Sequence, residues 1–147
     1  MGVLKGIDPL LSADLLHVLC SMGHGDTIVL CDSNFPASST SSKTISKKHI
    51  KMSVPVTKAM DVICGVLPLD EDCPVIHMSP VNGGEMPPDG VEVALEGKMV
   101  MLSHSTTSKI ESMERFDFYE AANKCFAIVE TMETRKYGNF ILTKGVI

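Results

Sequence analysis

The run Thr27-Ile28-Val29-Leu30-Cys31, closed by Asp32, constrains this chain more than any other segment. It is too apolar to leave one face in water, so it reads as a strand central in its sheet. Just before it, Leu15, Leu16, Val18, Leu19 and Met22 recur at helical spacing behind Ser12, an N-cap residue, with Asp14 placed against the helix dipole. Gly23 reads as the stop of that helix. Asp32 then falls at the carboxyl end of the strand, where open α/β sheets place their ligands.

The remaining pattern keeps alternating. A second helix is expected from Pro55 to about Val66, with Ser53 as cap and Pro55 in the first turn. A strand follows over Pro74 to Met78, and Ser79 to Gly90 reads as a loop rich in proline and glycine. Residues 91–102 fit two periods, with Gly97 interrupting either; a helix is the preferred reading. Strands are expected at Met113 to Phe116, Phe126 to Thr131 and Phe140 to Thr143, with a helix over Asp117 to Lys124 and a turn at Gly138-Asn139. Asn34 to Ser42 reads as a Ser-rich loop. Interleaved helices and strands with no repeat and no linker predict an α/β fold, a single compact domain over residues 1–147.

Composition excludes several classes. A formal charge of −5 opposes a surface built for nucleic acid or anionic lipid. Lys43 to Lys51 is interrupted by Thr44, Ile45, Ser46 and Ile50 and reads as a solvated strand or loop edge. No run approaches 18 apolar residues, the N-terminus lacks the layout of a signal peptide, and Gly6 stands where myristoylation needs Ser or Thr. A cytoplasmic protein is expected, without nucleic-acid or membrane partners. Cys20, Cys31, Cys64, Cys73 and Cys125 form no C-x-x-C pair and read as reduced, buried thiols. His17, His24, His49, His77 and His104 show no ligand spacing with them, so no metal is expected.

His24 lies in Met22-Gly23-His24-Gly25-Asp26, between glycines that let a ligand approach closely. Histidine is the side chain whose ordinary pKa suits proton transfer near neutrality. With Asp26 and Asp32 it forms one polar cluster; Asp70, Arg115 with Tyr119, and Tyr137-Gly138-Asn139 form the others. Carboxylates accept from hydroxyls while Arg and Asn donate to them, a set suited to a small polyhydroxylated ligand. No phosphate-binding glycine loop and no G-x-S-x-G elbow is present. Each residue also has a plainer reading: an Asx-turn at Asp32, a turn cap at Asp70, an ion pair of Arg115 with Glu114 or Glu120, core aromatics at Tyr119 and Tyr137, and a turn at Asn139. His77 and His104 have no recognisable partners.

The chain resembles the L-fucose mutarotases, within the broader group shared with D-ribose pyranases. The resemblance is carried, in order, by Leu10-Leu11-Ser12 with Leu15-Leu16, Met22 to Asp26, Asp32-Ser33-Asn34-Phe35-Pro36-Ala37, Leu69-Asp70, Arg115-Phe116-Asp117-Phe118-Tyr119-Glu120, Lys124 to Val129, and Tyr137-Gly138-Asn139 with Lys144-Gly145-Val146. The Phe35-Pro36-Ala37 turn and the aromatic Arg115 to Glu120 segment favour the fucose branch. Lys48-His49-Ile50-Lys51-Met52-Ser53 departs from the family pattern, and Pro80 to Lys109 follows it loosely.

The resemblance implies a cofactor-free isomerase interconverting the α and β anomers of L-fucose. It assigns His24 as acid/base, with Tyr119 sharing the proton transfer, and Asp32, Asp70, Arg115, Tyr137 and Asn139 as sugar contacts. It further implies a closed homo-oligomer, often a decamer, with the pocket completed by a neighbouring subunit. Two other readings stay open: a D-ribose pyranase-type isomerase, and a non-catalytic monosaccharide-binding module.

Overall fold

The computed structural model describes residues 2–107 and 109–147. Six strands form one sheet: β1 (Thr27–Cys31), β2 (His49–Met52), β3 (Val75–Ser79), β4 (Ile110–Glu114), β5 (Ala127–Thr131) and β6 (Phe140–Thr143). Their order is β2-β5-β1-β6-β3-β4. β6 runs antiparallel to both neighbours, β1 and β3, while every other pairing is parallel. Five strands therefore point their carboxyl ends to the same side of the molecule. β1 is interior, as its unbroken apolar run requires.

Alternation along β1 splits the core into two layers. Ile28 and Leu30 join the larger cluster, under α1 (Ala13–Ser21), α3 (Val56–Cys64) and α4 (Pro88–His104). Val29 and Cys31 join the smaller one, under α2 (Ala37–Ser41) and α5 (Arg115–Asn123). α1 begins where Ser12 Oγ accepts the Leu15 N–H at 3.2 Å. It ends because Met22 turns extended, one residue before the Gly23 stop that was expected, and the left-handed residue of the following turn is Gly25, at φ +87°. Lys144 Nζ closes the end by donating to the carbonyls of Leu19 and Met22.

Other boundaries differ from the sequence reading. α3 has no cap from Ser53; the Val56 N–H donates to the Glu133 carboxylate, 77 residues away, at 3.3 Å. The Ser-rich segment after Pro36 contains α2, whose Ala37, Thr40 and Ser41 are buried. Arg115 and Phe116 belong to α5 rather than to the preceding strand, because the Glu114 carboxylate caps that helix at the Asp117 N–H. Residues 91–102 are helical, as preferred, but α4 already begins at Pro88, inside the expected loop, and β4 begins at Ile110, three residues before the expected strand. Gly97 sits there because a Cβ would fall 2.5 Å from the Phe140 ring, so α4 lies tight on β6. Cys31, Cys64 and Cys125 are buried as expected, but Cys20 is exposed and Cys73 half-buried. β2 is an edge strand with Lys51 in solvent, in keeping with the solvated edge expected of the lysine segment.

Candidate functional site

A cavity of about 530 Å³ opens at the carboxyl end of the sheet. That volume lies within the range of about 300–1,000 Å³ usual for small-molecule sites. Its floor is Asp32, which ends β1 and is only 4% exposed. Asn139, at the entry to β6, grips it twice: Oδ1 accepts the Asp32 N–H at 2.8 Å, and Nδ2 donates to Asp32 Oδ2 at 3.1 Å. The Asn34 N–H donates to Asp32 Oδ1 at 3.0 Å, so the Asx-turn is real as well. Burial pushes the Asp32 carboxyl above its ordinary value, and the donors from Asn34, Asn139, Phe35 and Gly138 counteract part of that rise. A carboxylate desolvated this far persists because donors surround it.

The opposite wall comes from α5. Arg115 Nε donates to Tyr119 Oη at 3.1 Å, one helical turn on, and its guanidinium lies 5.6 Å from the Tyr119 ring centroid. The phenol oxygen accepts from Arg115, which leaves the phenol O–H free to donate elsewhere. Phe35 supports the ring from the α2 side, with centroids 5.5 Å apart.

Tyr137 and Asn139 arrive on the β5–β6 loop, whose shape is held by residues the sequence reading did not single out. Tyr137 adopts φ +62°, a conformation side chains resist. Its carbonyl accepts from His77 Nε2 at 2.8 Å, and His77 stacks on Phe140 with centroids 4.9 Å apart. Burial holds His77 below its ordinary pKa, which favours the neutral ring with Nε2 donating to the Tyr137 carbonyl. Gly138 is required by contact: a Cβ there would meet Glu133 Cγ at 2.7 Å. Glu133, 3% exposed, caps α3 and pairs with Arg135, which also forks onto Glu96 of α4 with two contacts of 2.8 Å. His77 therefore has a partner after all, and so does His104, which lies 2.7 Å from Asp61.

His24 and Asp70 stand elsewhere. His24 Nε2 lies 3.3 Å from Asp70 Oδ1, with side chains 62% and 19% exposed, in the loop that enters β1. Asp70 Oδ2 accepts the N–H groups of Cys73 and Asp72, closing a turn, and the Cys73 N–H, His24 and the Asp72 N–H together hold its carboxyl below the usual range. His24 and Asp32 thus flank β1 at opposite ends instead of forming one cluster. At roughly 3.3 Å per residue the five residues of that strand separate them by about 16 Å. One chain brings together Asp32, Arg115, Tyr119, Tyr137 and Asn139, and separately His24 with Asp70. Among the described residues no three His, Cys, Asp or Glu side chains converge as a metal-holding group.

The sequence match runs through both clusters. A family model described as the RbsD / FucU transport protein family matches residues 5–147. The chain belongs to that family. Within it, an L-fucose mutarotase from Histophilus somni (strain 2336) is 38% identical, over 98% of this chain and 97% of its own. The fucose mutarotase of Homo sapiens is also 38% identical, over 100% and 96%. Among solved structures, a fucose mutarotase in complex with L-fucose from Streptococcus pneumoniae superposes with a TM-score of 0.83 at 37% identity, covering 98% of this chain and 99% of that one. The mixed six-stranded sheet is thus this family member's shared fold. No described helix is long and apolar enough to cross a membrane.

Proposed function

We propose that this chain is an L-fucose mutarotase whose proton-transfer site is assembled from two copies of itself. The observation that carries the reading is the braced Asp32 beside Arg115 and Tyr119 in a sugar-sized cavity, in a chain 37% identical to a mutarotase solved with L-fucose. Mutarotation opens the ring to the aldehyde, turns C1, and recloses on the other face. Opening moves one proton onto the ring oxygen and takes one from the anomeric hydroxyl; closing reverses both. No atom is gained or lost, so proton carriers and hydroxyl contacts suffice. Acid–base catalysis of this kind contributes about 10²–10⁴-fold.

The geometry supports the following roles. Asp32 accepts from sugar hydroxyls with whatever oxygen lone pairs its braces leave free, and Asn139 fixes its orientation. Arg115 and Tyr137 hold the far hydroxyls, and Tyr119 donates its phenol proton. His24, oriented by Asp70, is the second proton carrier, supplied by a neighbouring copy because it lies a strand's length from its own cavity. Closed rings are the usual form of such soluble assemblies, and a decamer in the cytoplasm is the form we propose.

Magnetisation-exchange NMR on equilibrated sugar tests the activity. The proposal expects faster exchange between α- and β-L-fucopyranose with enzyme. Exchange only between pyranose and furanose forms of ribose would instead make it a pyranase, and binding without exchange would make it a sugar-binding module.

A further inference from the structure

Two residues at the end of β3 hold the loop that delivers Tyr137, Gly138 and Asn139 to the cavity. The Met78 N–H donates to the Asn139 carbonyl at 3.1 Å. His77, 4% exposed and paired with Phe140 in the β3–β6 ladder, reaches further and donates from Nε2 to the Tyr137 carbonyl at 2.8 Å. That carbonyl belongs to the same peptide unit as the Gly138 N–H. The unit is trans, so the two groups point in opposite directions. With the oxygen drawn to His77, the N–H faces Asp32 and is one of the donors that favour its ionised form. Gly138 is close enough for this: a Cβ on it would lie 3.6 Å from Asp32 Cβ.

This peptide needs a tether. Tyr137 holds a left-handed conformation at φ +62°, and Gly138 lets the unit rotate with little steric cost. We propose that His77 is a positioning residue for Asp32: by holding the Tyr137 carbonyl it fixes the Tyr137–Gly138 peptide with its N–H aimed at the Asp32 carboxyl. Removing the His77 donor leaves that carbonyl unpaired, so the peptide turns to find another partner and its N–H leaves Asp32. The carboxylate then loses a donor while its burial stays the same, and its ionised form is disfavoured further. The other ionisable groups around the carboxyl are Cys31 in β1, Arg115 and Tyr119 from α5, and Glu133, Lys136 and Tyr137 from the β5–β6 loop. All of them are common to the proteins compared below. The effect on sugar binding rests on the mutarotase reading, in which Asp32 accepts from hydroxyls; the effect on Asp32 itself needs no ligand.

The test compares His77→Phe and His77→Leu, which remove the donor, with His77→Gln, whose amide nitrogen can take the place of Nε2. Each is made with Asp32 and with Asp32→Asn in the full chain, and melting temperatures are followed across pH. The advantage of Asp32→Asn over its Asp32 parent grows as pH rises. It should grow further without the donor and return to the wild-type course in His77→Gln. Each pair shares the same residue 77, so lost packing cancels. Calorimetry with L-fucose gives a second reading. The ratio of Kd at acid pH to Kd at its alkaline plateau should rise about 3–10-fold without the donor, the size usual for one hydrogen bond, and should stay at the wild-type value in His77→Gln. Melting differences unchanged by His77→Phe and His77→Leu, with a Kd raised equally at every pH, would make His77 a packing residue and overturn the inference. His77→Gln behaving like His77→Phe would overturn it as well. Melting differences as expected, in a wild-type protein that neither binds nor exchanges L-fucose, would sink the mutarotase reading and leave the link from His77 to Asp32 standing.

Discussion

Asp32 is placed where two demands oppose each other. The sugar contact proposed for Asp32 favours an ionised carboxylate, and burial at 4% exposure disfavours the ionised form, which is why its pKa is raised. A carboxyl whose folded pKa lies above its unfolded value of about 3.9 stabilises the fold below that value and loses the contribution as pH rises through the folded value. Asp32→Asn cannot lose what it does not have. The difference in melting temperature, variant minus wild type, should therefore grow more positive as pH is raised through that window, while sugar affinity or exchange falls. A difference that grows more negative over the same window would contradict the assigned burial cost. His24 is the contrasting residue: exposed and outside both core clusters. His24→Ala should leave the melting temperature near wild type and slow catalysed exchange by about 10²–10⁴-fold. Near-wild-type exchange would remove it from the mechanism.

Among the elements, the strands β1, β3, β5 and β6 and the short helices α1 and α3 were legible because their signal is local. The apolar run of β1 and the 3.6-residue period of α1 state their own burial. What stayed hidden depends on partners far along the chain. Ser53 lies three residues before the start of α3 and is a good cap by type, yet Glu133 does the capping because the β5–β6 loop brings it there. Gly97 weakens any helical pattern until Phe140 is seen beneath it. α2 leaves no signature in the sequence because five residues of Ala, Ser and Thr carry no periodic stripe; burial under α5 and against β5 holds them. Two measurements check these contacts. Gly97→Ala should destabilise by about 1–3 kcal/mol, the usual cost of overpacking, as read by chemical denaturation. Glu133→Ala strips the α3 cap and leaves Arg135 with a single strong partner, and should cost on the order of 3 kcal/mol. A neutral result for either would mean that the loop and α4 relax without loss.

At the scale of the whole molecule, proximity in sequence misleads. His24 and Asp32 are eight residues apart and read as one cluster, but the intervening residues form an extended strand and hold them at opposite ends of the sheet. The composition of the candidate site was legible; its division was not, since a period-two strand gives distance where a helix would give contact. A site that uses both groups needs a second copy of the chain. The outer face of α4, with Val91, Leu95, Met99 and Leu102 exposed, supplies apolar surface of the kind that associating copies bury. Light scattering should accordingly give several times the 15.9 kDa of one chain. The most direct test of the central claim mixes two inactive proteins. His24→Ala retains the cavity and Asp32→Asn retains the histidine, so subunit exchange between them rebuilds intact sites only if each site draws on two copies. With random mixing in a closed ring, about one quarter of the sites should regain both groups, and α/β exchange of L-fucose should recover to about that fraction of wild type. Mixed assemblies confirmed by mass that show no recovery at all would contradict a site shared between copies.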